Sequence, residues 1–394
     1  MQVVRPSKQS ADRFGERRAF YFAKNFHPAH AGVIAALQRD GYAVSLVVHR
    51  PRSGGIKNGE SIVDVPLITM RSNSFLTRIF TSRKSAQSFP SMLWAAALLR
   101  QARPELVVVY SHHASAVFLS ILARILGARV ATLADKPRML KRRRDWPRLV
   151  IGRLLRPKAM LHTGTYGPPG AAVRLGPLLG RSFAAPYPVI VDSNIGSRTR
   201  TAVAPSGTSA SNKLRILCMS CFNPNRSRIT FLLDAVKIAE AADSLEITFV
   251  RQSQHEETAT IRARESQLGL PPSTILLDVS DQELRRLYAE SFDILVYPAD
   301  RVDYGQTIGE ALAHGLPAVC GDSVGARILI EHGKNGFIYQ SMSARSLAGA
   351  LQAALAEGRV GLARMGEHAR ASSESSHGAA AWIRTLEKSL GSNR

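Results

Sequence analysis

Residues 303–322 read DYGQTIGEALAHGLPAVCGD and follow an apolar run, FDILVYPA (292–299). A glycine, a polar pair and a lone glutamate in that order could do chemistry. Gly305 lets the backbone approach a ligand closely. Gln306, Thr307 and Ile308 can begin a helix, whose unpaired N–H groups and macrodipole together favour an anion. Glu310 falls just over one turn in. A carboxylate there can reach back and accept two hydroxyls, as an acidic residue does with a ribose diol in dinucleotide folds. Phosphate beside sugar hydroxyls describes a nucleotide. The same glutamate also suits a purely structural role, complementing the helix dipole. On residue types alone both readings stand.

The elements around this stretch follow one rhythm. RAFYFA (18–23) reads as a strand, AHAGVIAALQRDG (29–41) as a helix closed by Gly41, and AVSLVVHR (43–50) as the next strand. ELVVVYS (105–111) is a continuous apolar run of the parallel-sheet kind, followed by the helix ASAVFLSILARILG (114–127) and the strand ARVATLAD (128–135). Residues 192–212 are rich in Ser, Thr, Gly and Pro and read as a linker. The rhythm restarts with KLRILCMS (213–220), the helix RITFLLDAVKIAEAA (228–242) and the strand LEITFV (245–250). Next come the helix TATIRARESQLG (258–269), STILLD (273–278), and SDQELRRLYAES (280–291), where Ser280 and Glu283 form a capping box. PAVCG (317–321) and GFIYQ (336–340) are the last strands, and GAAAWIRTLEKSLG (378–391) is the last helix. Strand–helix–strand order throughout makes this an α/β, doubly wound architecture, in which ligands sit outside the carboxyl ends of the strands. FDILVYPA delivers the chain to that edge.

The chain has 394 residues, enough for two cores. Its 52 Lys+Arg against 30 Asp+Glu give a formal charge of +22, which calls for an anionic partner. The polar N-terminus suggests no secretory signal, and no apolar run approaches the roughly 18–20 residues of a membrane span. Cys218 and Cys221 form a C-x-x-C, but no second pair completes a zinc site and FNPN, not a helix, follows. With Cys320 they read as small buried residues. No G-x-G-x-x-G follows a strand, which argues against a simple dehydrogenase.

The stretch from 281 to 340 resembles the C-terminal domain of GT-B glycosyltransferases, closest to glycosyltransferase family 4. DQELRRLYAESFDILVYPA is similar to the helix and strand leading into that family's site. GEALAHGLPAVCGD resembles its most specific segment, and EHGKNGFIY (331–339) its closing turn and strand. LRILCMSCFNPNRSRITFLLDAV and ELVVVYSHHASAVFLSILARILGARVATLAD carry a weaker likeness through the rest of the chain. The resemblance implies two Rossmann-like domains facing a central cleft. Residues 1–191 would take the acceptor and 213–377 the donor, and the helix of 378–394 would return to the first domain.

Carried over by position, Glu310 matches the second acid of the family's paired-acid motif, which binds the donor ribose. Gly305, Gln306 and Thr307 match the loop contacting the donor sugar and diphosphate. Arg226 or Arg228 matches the basic residue that neutralises the diphosphate. His112 or His113 matches the histidine lining the cleft. Some positions depart from the pattern. The first acidic position falls on Val302, with Asp303 next to it, and Cys221 stands at the family's usual arginine. RQSQ replaces a Gly-containing turn after LEITFV, and the later Pro-Glu pair falls on Arg327–Ile328. NFHPAHAG (25–32) has only Gly32 of a Gly-Gly loop, though it offers His27 and His30.

The resemblance implies transfer of a hexosyl group from a nucleotide-diphosphate sugar to a polysaccharide or lipid-linked glycan, with retention and without a metal or other cofactor. Runner-up readings are a non-catalytic sugar-nucleotide-binding protein and another GT-B enzyme such as a nucleotide-sugar epimerase. DKPRMLKRRRDWPRLVIGRLLRPKAML (135–161) interleaves Lys141, Arg142, Arg143, Arg144 and Arg148 with Trp146 and leucines, the pattern of a basic amphipathic surface helix on anionic lipid. A solvated charged face is the plainer alternative. No nucleic-acid signature accompanies the cluster. The expected location is cytoplasmic, peripheral on the inner face of the cytoplasmic membrane.

Overall fold

A computed structural model describes residues 17–23, 29–48, 65–73, 89–110, 114–134, 159–163, 172–174, 181–189, 191, 213–219, 228–251, 255–302 and 304–391. The chain forms two units, Met1–Pro188 with His377–Arg394, and Val189–Ser376.

The first unit is built on one eight-stranded sheet. Its order is β3 (Leu67–Thr69), β2 (Ala43–Val48), β1 (Arg18–Ala23), β6 (Leu106–Tyr110), β7 (Arg129–Ala134), β8 (Ala159–His162), β10 (Arg181–Ala184) and β9 (Ala172–Arg174). All pairs are parallel except β9 with β10. A short antiparallel ribbon, β4 (Ser72–Asn73) and β5 (Phe89–Pro90), stands apart. The continuous apolar runs become central strands because both of their faces are covered. Phe20, Phe22, Val107 and Val109 pack with Leu99 and Leu119, which come from helices α2 (Met92–Ala102) and α3 (Ala114–Ile125). Strand β8 corrects the helix reading of 135–161. Its end at 159–161 is sheet, with Leu161 fully buried, because it pairs in register with β7 and β10. Residues 135–158 lie outside the described residues.

Helix α9 (Ala379–Leu390) packs against β7, β8, β10 and α1 (Ala29–Arg39) of this unit, burying Trp382 and Leu386. An ionic chain locks it there. Arg129 pairs with both Glu387 and Glu105, and Arg17 with Glu105 and Asp40. The Arg17 guanidinium lies 4.0 Å from the Tyr42 ring centre. Burial and the neighbouring Glu105 charge push the Tyr42 phenol up to about 12.

The second unit has a six-stranded, all-parallel sheet. Its order is β13 (Thr274–Leu277), β12 (Leu245–Arg251), β11 (Leu214–Cys218), β14 (Ile294–Tyr297), β15 (Ala318–Gly321) and β16 (Gly336–Tyr339). Strand order reverses between β11 and β14. The helices are α4 (Ile229–Ile238), α5 (His255–Leu268), α6 (Asp281–Arg286), α7 (Gln306–Ala313) and α8 (Ala344–His377), the last broken at Gly358. Ser280 caps α6 by accepting from the Glu283 N–H at 3.2 Å. The helix expected over 280–291 is not α throughout, because Leu287–Ser291 widens to a π turn. Gly315 closes α7 with a left-handed φ of 77°. The Gly315 and Leu316 amides donate to Leu312 and Ala311, a Schellman closure.

Gly336 is required by close packing. A Cβ there would lie 2.1 Å from the Ala318 carbonyl oxygen on the neighbouring strand. Gly336→Ala is therefore expected to destabilise the second unit by roughly 1–3 kcal/mol or more, the cost of overpacking against backbone that cannot yield. Thermal unfolding followed by circular dichroism checks this. An unchanged midpoint would show that β15 and β16 separate freely.

Candidate functional site

The strand reversal puts two chain exits side by side at the carboxyl edge of the second sheet. One leaves β11 and returns at α4. The other leaves β14 and returns at α7. The Arg228 amide donates to the Pro298 carbonyl at 2.8 Å and ties the two exits together.

The β14 exit folds as a tight loop. Its backbone is pinned by the Gly325 amide on the Val302 carbonyl (2.9 Å) and the Ala326 amide on the Tyr304 carbonyl (2.6 Å). Both donors open the 3-10 turn Gly325–Leu329, which also contains the Arg327–Ile328 pair. Gly305 then stands at the cap of α7 with φ 91° and ψ 64°, and no side chain caps the helix. An L residue would be strained at that φ, and its Cβ would meet Val324 Cγ1 at 3.0 Å. The amides of Gln306 and Thr307 precede the first bonded amide, Ile308, which donates to Gly305. The helix starts where the spacing predicts, and a start of this kind can hold an anion.

Glu310 is partly buried on the same helix. Gln306 Nε2 donates to its Oε1 at 2.7 Å, and the Tyr288 hydroxyl to its Oε2 at 3.3 Å. Among the described residues no ion pair neutralises it. Burial raises its pKa to about 7, and the Asp281 charge adds to this. Hydrogen bonds from Tyr288 and Gln306 and the charge of Arg285 act the other way. Each oxygen thus already holds one neutral donor, an amide or a hydroxyl. A ligand hydroxyl must join these donors or displace Gln306. A carboxylate held near neutrality without a counter-charge is costly to the fold, which marks it as a functional candidate.

Arg228 occupies the other exit. Its guanidinium lies 3.8 Å from Asp300 Oδ2 and donates through Nε to Met342 Sδ at 3.3 Å. Asp300 is buried, takes a hydrogen bond from Ser323 Oγ at 2.7 Å and pairs with Arg301 at 3.2 Å. Burial alone would raise its pKa. The Ser323 and Arg301 hydrogen bonds and the charges of Arg301 and Arg228 outweigh that and hold the carboxyl below its usual range. Ser323 and Ser341 extend the network, with the Ser341 hydroxyl donating to Ser323 at 2.8 Å. Sequence reasoning did not single out Asp300, although it is the first residue after the buried run FDILVYPA.

The structure brings Gly305, Gln306, Thr307 and Glu310 together on α7, with Arg228 across the strand reversal. His112, His113, Arg226, Asp303, Lys141, Arg142, Arg143, Arg144, Trp146 and Arg148 lie outside the described residues, as do Cys221 and His27. Cys218 and Cys320 are buried thiols. His30 is buried in the first unit among Tyr21, Tyr110 and Tyr187, with ring centres 5.3, 4.4 and 6.2 Å away. Among the described residues there is no cluster of His, Cys, Asp or Glu suited to a metal, and no helix long and apolar enough to cross a membrane.

Residues 213–357 match the family model of glycosyl transferases group 1. No curated protein sequence matches the chain. Solved structures share its α/β architecture over nearly its full length, which establishes the GT-B fold. HepE of Anabaena, solved with UDP and glucose, is 14% identical with a TM-score of 0.63, covering 95% of this chain and 100% of its own. A glycosyltransferase of Rickettsia africae is 15% identical with a TM-score of 0.66, covering 96% and 100%. TarM of S. aureus, solved with Fondaparinux, alpha-GlcNAc-glycerol and UDP, is 9% identical with a TM-score of 0.60, covering 95% and 100%.

The raised Glu310 pKa has a definite sign. The folded state favours the protonated acid, so this group's stabilising contribution is full below the unfolded value near 4.5 and is lost as pH rises through about 7. Glu310→Gln should therefore raise thermal stability at pH 8 and change it little at pH 5. Partial exposure limits the gain to the order of 1 kcal/mol. Thermal unfolding at the two pH values measures it, and equal midpoints for both proteins at pH 8 would contradict the assignment.

Proposed function

We propose that this GT-B chain, with its group 1 glycosyl transferase domain over 213–357, is a retaining transferase. It moves a hexosyl group from a nucleotide-diphosphate sugar to a polysaccharide or lipid-linked glycan. The observation that carries the proposal is the Glu310 carboxylate, partly desolvated and in no ion pair among the described residues, on the helix whose uncapped start is Gly305–Thr307. The carboxylate suits a ribose diol, and the helix start suits the diphosphate. The uridine diphosphate bound by the similar HepE and TarM supports UDP as the first nucleotide to try.

In this reading the departing diphosphate is the charge that must be stabilised. Arg228 and the Gln306 and Thr307 amides face that task as preorganised donors. Asp300 holds Arg228 beside the β14 exit, with 3.8 Å between the guanidinium and Oδ2. Arg226 is the alternative cation, and His112 or His113 would line the acceptor side. The reaction needs no metal in this scheme, so activity should survive a chelator. The basic residues at 141–148 would hold the enzyme on an anionic membrane surface, where the acceptor is presented. Sedimentation with acidic rather than neutral vesicles tests that part.

Calorimetry with UDP and UDP-sugars, followed by donor hydrolysis and transfer assays, tests the whole. Glu310→Ala is expected to abolish or sharply weaken nucleotide binding in a folded protein. Arg228→Ala should lower donor turnover by about 10²–10³ if it is the diphosphate cation. Unchanged binding in folded Glu310→Ala would remove the site. Tight nucleotide binding with no turnover on any acceptor would instead favour a non-catalytic sugar-nucleotide-binding protein.

A further inference from the structure

The π turn at Leu287–Ser291 buries Tyr288 and Ala289, whereas α6 just before it buries no residue. The wider turn rotates the chain inward at one point, and such turns often sit at functional sites. Tyr288 is held there from several sides. Its ring centre lies 5.8 Å from that of His314, which is itself fixed by Nδ1 to the Glu310 carbonyl at 2.8 Å. Its hydroxyl lies 3.4 Å from Met219 Sδ, just past β11. The same hydroxyl donates to Glu310 Oε2 and is hydrogen-bonded to the Thr307 side chain. It therefore bridges the helix start proposed for the diphosphate and the carboxylate proposed for the ribose. Burial and the Glu310 charge hold the phenol well above its usual range, so it stays a donor at any working pH. The charged groups acting on Glu310 from α6 are Asp281 and Arg285.

Resting on the donor reading above, we propose that Tyr288 is a positioning residue. Its hydroxyl holds Oε2 and so fixes the plane of the Glu310 carboxylate toward both ribose hydroxyls, giving the site its preference for a ribonucleotide over a 2′-deoxyribonucleotide. Glu310 has rotatable bonds that α7 does not restrain. Gln306, on the same helix one turn earlier, can leave Oε1 when a ligand arrives, whereas the buried phenol cannot leave Oε2.

The test compares dissociation constants of UDP and 2′-deoxy-UDP for the full chain by calorimetry, with ADP and GDP and their deoxy forms if UDP binds weakly. The wild-type protein is expected to prefer the ribonucleotide by about 10-fold or more, the value of a hydrogen bond to a charged acceptor. Glu310→Gln should lose most of that ratio. Tyr288→Phe should lower the ratio to about 3-fold or less while circular dichroism stays unchanged. A merely structural tyrosine would weaken both ligands equally and leave the ratio intact, which overturns the inference. If Tyr288→Phe does not fold, Tyr288→Met removes the same hydroxyl and is read in the same way. A wild-type protein with no ribose preference, or one that binds none of the nucleotides, overturns the Glu310 reading itself and this inference with it. A ratio lost in Glu310→Gln but kept in Tyr288→Phe overturns the tyrosine's role alone.

Discussion

In an all-parallel sheet, successive crossovers lie on opposite faces once strand order reverses, so the two exits flanking the reversal diverge and leave a crevice at the carboxyl edge. In the second unit that reversal falls between β11 and β14. The groups of the candidate site are drawn from the elements around it. Arg228 comes from one exit and Asp300, Gly305 and Glu310 from the other, and Ser323 and Ser341 follow the next two strands. The amide of Arg228 on the Pro298 carbonyl stitches the exits together, so the crevice is braced through backbone as well as side chains.

Within this crevice two carboxylates are pushed in opposite directions. Asp300 has hydrogen bonds and arginines and stays ionised. Glu310 has burial, a nearby Asp281 and only neutral donors, and its pKa rises to about 7. Divergent environments of this kind separate a structural acid from one kept for a ligand. Asp300 spends its charge inside the protein. Glu310 keeps its charge unspent, at some cost to stability, which is what recognition of a sugar diol requires.

The first unit contributes stability of another sort. Its sheet is closed over by α9, which arrives from the far end of the chain and is held by the Arg129 and Glu387 pair and by buried Trp382. Clamping the chain's end onto its beginning makes this unit depend on residues more than two hundred positions away.

Much of this was legible in the sequence. Continuous apolar runs separated by amphipathic stretches specify buried parallel strands, since only two-sided burial removes the polar alternation. Gly305 and Gly315 bracket α7 because positive φ is cheap only for glycine, and Ser280 marks the start of α6 because its hydroxyl accepts from Glu283. Local rules of this kind depend on near neighbours, and near neighbours can be read along the chain. Other features depend on distant groups. Whether Glu310 would be neutralised could not be read, because burial and Asp281 push it one way and Tyr288, Gln306 and Arg285 the other, and only the fold brings most of these to it. Asp300 drew no reading from the sequence, because Arg228 and Ser323 reach it only in the fold. The 159–161 stretch looked like the end of a basic helix until pairing with β7 and β10 made it strand. The sequence determined where backbone could turn and which faces must be buried. Only the tertiary structure decided which charges meet, because the field at a carboxylate is set by whatever lies within a few ångströms, however far along the chain it comes from.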